Sequence, residues 1–309
     1  MQKHYLITGG LGLIGSALAN AIDTKTTILT RSTKNKKRLK RKDVKIVVKD
    51  LNNISTNDLG GTDVIFHCAS TVHNYHVLDD PFIDTHTNIV GTTKLLEACK
   101  KLKKKPKIIY LSTFFVYGNT YEKTGKPITE DSPTDPLAIY PATKLCTESI
   151  IKLYGKLYNI PYIICRLTNV YGEHEHFDNK KKGALNYLIM QAVLGKELSI
   201  YRGGNFFRDY LHVDDLVDAL LFLESRAENE LFLIGQGTPV KFSDIIKELL
   251  RLTGNKSKVT QIPPPRFHDI VGITNFIADT RKINSLGWKA KIDYRQGIKK
   301  IVTHYETSL

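Results

Sequence analysis

A chain of 309 residues with 41% hydrophobic and 25% charged residues is long enough for one large or two closely joined domains around a buried core, which excludes overall disorder. From Met1 it passes straight into the strand-like Tyr5-Leu6-Ile7, with no apolar stretch of signal-peptide or membrane-spanning length, so a soluble, cytoplasmic protein is expected. The net charge of +14 is clumped, with seven basic residues in nine over Lys34–Lys42 and six in eight over Lys100–Lys107. Neither run is interleaved with aromatic residues that would stack on bases, so both read as solvated faces rather than as a nucleic-acid interface.

In chain order, short β-rich apolar runs alternate with longer amphipathic ones. Strands are expected at His4–Thr8, Thr26–Thr30, Lys45–Val48, Val64–Cys68, Ile108–Ser112 and Tyr162–Arg166, and helices at Ile14–Ile22, Asn88–Leu102 and Tyr140–Tyr158. This order predicts an α/β fold with a Rossmann-type doubly wound parallel sheet, its ligand at the carboxyl ends of the strands. After Gly172 the pattern turns irregular, as in a smaller, discontinuous α/β cap. Helices are expected there at Asp214–Glu224 and Ser243–Leu252, the second with Ser243 as N-cap. The expected division is residues 1–168 with a returning segment 209–234 for the sheet domain, and 169–208 with 235–309 for the cap. Cys68, Cys99, Cys146 and Cys165 form no C-x-x-C pair and read as buried thiols.

Two patterns carry chemistry. Thr8-Gly9-Gly10-Leu11-Gly12-Leu13-Ile14-Gly15 joins the first strand to the first helix. Side chains at such turn glycines would hold the backbone away from a pyrophosphate, and the first helical residues, Leu13 and Ile14, offer unpaired N–H groups at the positive end of the helix dipole. A dinucleotide site is therefore expected here. Tyr140-Pro141-Ala142-Thr143-Lys144 sets a phenol and an ammonium at i and i+4 on one helical face. A nearby ammonium favours phenolate, which suits Tyr140 to exchange a proton with a hydroxyl or ketone, and Thr113 ends the preceding strand where its hydroxyl could reach the same oxygen.

With these patterns the chain resembles the extended short-chain dehydrogenase/reductase family, in its nucleotide-sugar epimerase, dehydratase and reductase branch. The likeness runs through Asp50-Leu51, Asp63 to Ser70, Asn88-Ile89-Val90-Gly91-Thr92, Ser112 to Gly118, Tyr140 to Lys144, Arg166 to Gly172, Arg208 to Asp215 and Leu286-Gly287-Trp288. The resemblance implies Thr113 as polariser of the substrate oxygen, Tyr140 as acid/base, and Lys144 as ligand of the nicotinamide ribose. It further implies Asp50 and Leu51 at the adenine edge, Ala69 in the cofactor channel, Asn169 and Arg208 on the substrate phosphates, and Arg266 on the nucleotide. A guanidinium suits a diphosphate because it can bridge two oxygens; the alternative for Arg208 is a salt bridge to Asp209 or Asp214. A homodimer joined through the helices near Asn88 and Tyr140 is also implied.

Two departures narrow the activity. Dehydratases of the branch carry an Asp-Glu pair after the catalytic Thr, where this chain has Phe114-Phe115, and the fucose-synthase subgroup has a cysteine at the position of Phe115. NAD-binding members have a carboxylate at the end of the second strand to accept hydrogen bonds from the ribose; Thr30 stands there, followed by Arg31, which would favour a 2′-phosphate. The expectation is an NADP-dependent reductase of a nucleotide-linked 4-keto sugar. The alternatives are an NAD-dependent nucleotide-sugar 4-epimerase and a non-catalytic dinucleotide sensor. Glu173-His174-Glu175-His176 falls in an expected loop with side chains on alternating sides, and no metal is expected.

Overall fold

In a computed structural model that describes residues 2–71, 80, 82–175, 184–265 and 272–308, the strands in chain order are β1 (Tyr5–Thr8), β2 (Thr26–Thr30), β3 (Lys45–Val48), β4 (Val64–His67), β5 (Lys107–Thr113), β6 (Tyr162–Leu167), β7 (Asn169–Tyr171), β8 (Leu198–Tyr201), β9 (Phe207–Arg208), β10 (Tyr210–His212), β11 (Glu230–Ile234), β12 (Val240–Lys241) and β13 (Val259–Ile262). Seven of them form one parallel sheet in the order β11-β6-β5-β4-β1-β2-β3. The chain reverses direction across the sheet between β1 and β4, and at such a switch point the carboxyl ends of neighbouring strands leave a crevice. This is the doubly wound sheet expected from the alternation.

The strands read as continuous apolar runs because helices cover the sheet. Val64, Ile65, Phe66 and His67 of β4 are all buried. Leu6, Ile65, Ile108 and Ile164 pack with Leu95, Leu96 and Cys99 of the helix Gly91–Lys100 and with Ile151 of the helix Ile139–Tyr158. The expected helix over Asn88–Leu102 differs at its start: Thr85–Val90 forms a π-helical turn before the α-helix begins at Gly91. Cys99 and Cys165 are buried and Cys68 half-buried, but Cys146 is exposed on the outer side of Ile139–Tyr158, contrary to the expectation of four buried thiols.

The chain divides into two compact units. One comprises Met1–Val116, Ala138–Arg166 and Val217–Phe232; the other comprises Tyr117–Leu137, Leu167–Leu216 and Leu233–Leu309. Tyr117–Leu137 therefore belongs with the second unit, where the sequence alone had put it with the sheet. Its attachments explain this: Glu122 accepts hydrogen bonds from Asn275, Ile128 bridges to Ala278, and Glu130 accepts the backbone N–H of Leu233.

The second unit has its own core, in which Ile189 and Ala192 from helix Ala184–Val193, Ile245 and Leu249 from Phe242–Leu252, and Ile298 and Ile301 from Tyr294–Glu306 pack together. The helix expected to start with Ser243 as N-cap begins instead at Phe242, with Lys241 at the cap and no side-chain capping bond. Burial of the Phe242 ring, stacked on Phe206 at 5.1 Å, outweighs the capping preference of a serine.

Candidate active site

The glycine turn lies at the carboxyl end of β1. Gly9 has φ +66°, and a Cβ there would come within 2.8 Å of the Ala69 nitrogen at the end of β4, so this glycine is required both by conformation and by the strand beside it. A Cβ on Gly15 would meet the Gly10 Cα and the Gly9 carbonyl oxygen at 2.6 Å. Gly12 is different: it is exposed, its φ is an ordinary −73°, and an added Cβ would meet only the Gly9 oxygen, at 3.3 Å. Its missing side chain is thus of little use to the fold itself and leaves the N-terminus of helix Leu13–Ala21 open to a pyrophosphate. Gly15→Ala should lower the melting temperature and dinucleotide affinity together, whereas Gly12→Ala should keep the melting temperature and weaken dinucleotide binding. Equal affinity of Gly12→Ala and wild type in a fluorescence titration would refute a pyrophosphate at Gly12.

The flanking residues occupy defined places in the same unit. Ala69 donates its N–H to Thr8 Oγ1 at 3.2 Å. Asp50 uses Oδ1 to cap the short turn that follows it, accepting from the Asn52 backbone and side chain at 2.8 and 2.9 Å, while Leu51 is buried against Gly91. Thr30 turns its hydroxyl onto the Ser32 carbonyl at 3.0 Å, and Arg31 is exposed. Arg38, from the basic run, donates to the Leu11 carbonyl of the glycine turn at 3.1 Å, an attachment that charge counting does not disclose.

Thr113, at the end of β5, and Tyr140, at the start of the helix Ile139–Tyr158, are both buried. Burial pushes the Tyr140 phenol up from its ordinary value, the neighbouring Thr113 and Ser70 hydroxyls act to lower it, and the Asp84 carboxylate raises it. Lys144 is buried, donates to the Leu111 carbonyl at 2.6 Å and lies 4.6 Å from the centre of the Tyr110 ring. Desolvation lowers its ammonium to about 7. Here the Lys144 ammonium is directed at a backbone carbonyl and a ring of β5.

A buried polar network surrounds these groups. His67, fully buried, meets Thr8 Oγ1 through Nδ1 at 2.7 Å and Thr92 Oγ1 through Nε2 at 2.8 Å. Thr92 donates to the Asn88 carbonyl, so Nε2 carries the proton and Nδ1 accepts from Thr8. Burial drops the imidazole to about 3 and keeps it neutral. The Asn88 side chain bonds Ser70 and Thr71 on one side and Thr143, one turn from Tyr140, on the other. Sequence reasoning placed Asn88, His67 and Ser70 in motifs but assigned them no part. The i, i+4 spacing of Asn88 and Thr92 was the available signal.

In the second unit Arg208 is half-buried and donates to the carbonyl oxygens of Thr274 and Ile273. Neither aspartate weighed as its partner bonds it in the described contacts: Asp209 accepts from Gln236 N, Gly237 N and Thr168 Oγ1 at 2.7–3.0 Å, and Asp214 pairs with Lys300. Asn169 donates its side-chain amide to the Asp209 carbonyl at 3.0 Å. Arg266 and His176 lie outside the described residues. No group of three or more His, Cys, Asp or Glu among the described residues could hold a metal ion, and no helix among them is long and apolar enough to cross a membrane.

A glycine turn at a switch point, with a buried Tyr beside Thr113 and a Lys one turn on, defines an enzyme of the dinucleotide-dependent oxidoreductase and epimerase class. Residues 5–235 match the NAD dependent epimerase/dehydratase family, and the chain belongs to that family. It is 30% identical over 304 residues to a protein of Methanocaldococcus jannaschii named "Putative UDP-glucose 4-epimerase", with 96% of each chain covered. Among solved structures, it superposes on the UDP-glucose 4-epimerase of Thermotoga maritima with UDP-glucose at a TM-score of 0.90 and 26% identity, covering 99% of each chain. The UDP-glucuronic acid 4-epimerase of Bacillus cereus, in complex with UDP-glucuronic acid and NAD, gives a TM-score of 0.87 and 26% identity over 99% of this chain and 100% of that one. With enzymatic family membership established, the sensor alternative falls away.

Proposed function

We propose that the protein is a UDP-sugar 4-epimerase, the alternative weighed from sequence, rather than the 4-keto-sugar reductase first expected. The observation that carries this is the likeness along nearly the whole chain to 4-epimerases; the pair Phe114-Phe115 directly after Thr113, with ring centroids 4.3 Å apart and Phe114 buried, argues against a dehydratase. A site that holds a Thr hydroxyl and a Tyr phenol but two aromatic rings in place of acids can exchange a proton at one carbinol, and lacks the carboxyl groups that elimination of water requires. The epimerase relatives support the same conclusion.

The dinucleotide would be held by the backbone of Gly9, Gly12, Leu13, Ile14 and Gly15, by Asp50 and Leu51 at the adenine, by Ala69, and by Lys144 at the ribose. Bound nicotinamide supplies a hydride acceptor that can return what it takes. Thr113 orients the sugar O4. Tyr140 would take the O4 proton when C4 is oxidised and return it when the ketone is reduced from its other face, so no reducing equivalent would be consumed. Arg208, with its guanidinium oriented by two carbonyls, and Asn169 are proposed to engage the diphosphate, and Arg266 the nucleotide. Arg208→Ala should raise KM for the nucleotide sugar by about 10- to 100-fold, the worth of a hydrogen bond to a charged group. Dinucleotide affinity should not change, and equal weakening of both ligands would make Arg208 structural.

The decisive assay is interconversion of UDP-glucose with UDP-galactose, and of the corresponding uronates, without added reductant. The end of β2 favours a second form of the activity: Thr30 and Arg31 offer a 2′-phosphate no carboxylate to repel it, which suits NADP(H) and a net reduction. NADPH consumption on a 4-keto nucleotide sugar, without interconversion of saturated sugars, would replace the epimerase by that reductase. A homodimer is also proposed. Exposed Cys146, Leu153 and Leu157 fall with half-buried Ile150 at spacings of four, three and four on one helix, a stripe suited to a second copy. A monomeric mass by light scattering would refute it.

A further inference from the structure

One side chain ties the basic loop after β2 to the glycine turn. Arg38 donates from Nη1 to the Leu11 carbonyl oxygen at 3.1 Å, and the N–H of Gly12 donates to the Gly9 carbonyl oxygen at 3.0 Å. The Leu11 carbonyl and the Gly12 N–H belong to one planar peptide, so that plane is held at both ends. The buried Leu11 side chain anchors the Cα before it, but leaves the peptide itself free to tilt. Gly12 beyond it is exposed and has no side chain to restrict its backbone. On its other side the Gly12 carbonyl oxygen accepts the Ser16 N–H at 3.0 Å and the Ser16 hydroxyl at 2.7 Å, which join it to the helix Leu13–Ala21.

Arg38 is itself fixed along that helix. Asn20, near the far end, donates from Nδ2 to the Arg38 carbonyl oxygen at 2.9 Å and accepts the Lys40 N–H at 2.8 Å. Arg41 donates to the carbonyl oxygens of Ile22 and, at 3.2 Å, Thr24. The two arginines thus lie at opposite ends of one helix. A cation suits the C-terminal end, where Arg41 lies, and is disfavoured by the positive N-terminal end, beside which the Arg38 guanidinium lies. A guanidinium at the disfavoured end costs the free protein some stability, and an anion arriving at that same end offsets the cost.

We propose that Arg38 is a positioning residue for the dinucleotide: it holds the Leu11–Gly12 peptide in the orientation that leaves the start of the helix open to the pyrophosphate, so that the turn is set before the ligand arrives. The inference rests on the dinucleotide lying at the glycine turn. Presetting the turn strengthens binding because less of the backbone has to be ordered on contact. A held peptide can be told from charge alone, since exposed Lys37 carries the same charge one residue away.

The test compares Arg38→Ala with Lys37→Ala in the full-length chain labelled with 15N-glycine, the Gly12 amide being assigned from Gly12→Ala. In protein free of dinucleotide, Arg38→Ala should speed hydrogen exchange at Gly12 by about tenfold, a local opening. Exchange at Gly155, inside the helix Ile139–Tyr158, should not change, which separates that opening from a general loss of stability. Lys37→Ala should leave both amides at the wild-type rate. Titrated with NAD+ and with NADP+, Arg38→Ala should weaken the tighter-binding dinucleotide by about tenfold, the cost of ordering roughly one residue on binding. The loss should persist at high ionic strength, which screens attraction at a distance but not a direct hydrogen bond. Unchanged exchange at Gly12 in Arg38→Ala would overturn the proposal, and equal weakening by Arg38→Ala and Lys37→Ala would reduce Arg38 to its charge. Faster exchange at Gly12 with wild-type affinity would overturn the role of Arg38 and leave the dinucleotide at the turn. If the wild type binds neither NAD+ nor NADP+, the dinucleotide assignment itself fails and the proposal falls with it.

Discussion

Tyr140→Phe should lower turnover by about two to four orders of magnitude, the usual contribution of a positioned acid/base. The ring remains, so the buried packing at the start of the helix Ile139–Tyr158 is kept and dinucleotide affinity should match wild type. The pH profile carries the sharper signature. Burial and Asp84 push the phenol up while Thr113 and Ser70 hold it down, so the base form is scarce at neutral pH and gains population as pH rises. The wild-type rate of alcohol oxidation should therefore climb with pH along an acidic limb, and Tyr140→Phe should lose that limb along with the rate. Turnover within tenfold of wild type, or an unchanged limb, would remove Tyr140 from the mechanism.

Glu148→Ala should cost about 3–5 kcal/mol of stability, the effect of removing one partner from a buried ion pair. Arg166 on β6 and Glu148 on the Tyr140 helix are both almost fully buried, with Nη2 to Oε2 at 2.7 Å and Nε to Oε1 at 3.0 Å, and Ser112 donates to the same carboxylate at 2.5 Å. Alanine leaves a guanidinium in the interior without that carboxylate. Ser112 adjoins Thr113 and Glu148 lies one turn beyond Lys144, so the same change should blur the site it supports and reduce turnover as well. Replacing both partners with apolar residues, Glu148→Leu with Arg166→Met, should recover much of the lost stability, since desolvation of two charges offsets most of what a buried pair contributes. Urea denaturation of the single and double variants checks this. A loss below about 1 kcal/mol for Glu148→Ala would show that the pair is not held as a buried unit.

Six of the seven strands of the sheet were legible from sequence because each is a short apolar run next to a helix of clear period, and both periods are properties of neighbouring residues, whereas β11 was not expected. β2 and β3 fall on the expected residues, and the other expected strands differ by one residue at one end, or at both ends for β5. The glycine turn and the Tyr-Lys pair were legible for the same reason: a turn, a helix start and an i, i+4 face are local, and each chemistry is written within eight residues or fewer. Gly9 and Gly15 also show that part of the glycine pattern serves strand and helix contact, whereas Gly12 does not.

What only the tertiary structure decided is where side chains distant in sequence meet. The Lys144 ammonium meets the Leu111 carbonyl and the Tyr110 ring, and where those lie is decided by β5 rather than by the i, i+4 spacing. Ser70, Asn88 and Thr143 come from a loop, a π-helical turn and a helix, so no spacing links them. Tyr117–Leu137 reads as a continuation of the sheet domain, yet joins the second unit because Glu122, Ile128 and Glu130 find partners around residues 233–278. The basic run Lys34–Lys42 reads as a solvated face, yet Arg38 reaches the glycine turn once β2 sets the following loop beside it. Local periodicity determines which segments become strands and helices; the direction of a buried polar side chain is set by the low dielectric around it, which penalises any donor or acceptor left unmatched and sends each to whichever partner the packing brings within reach.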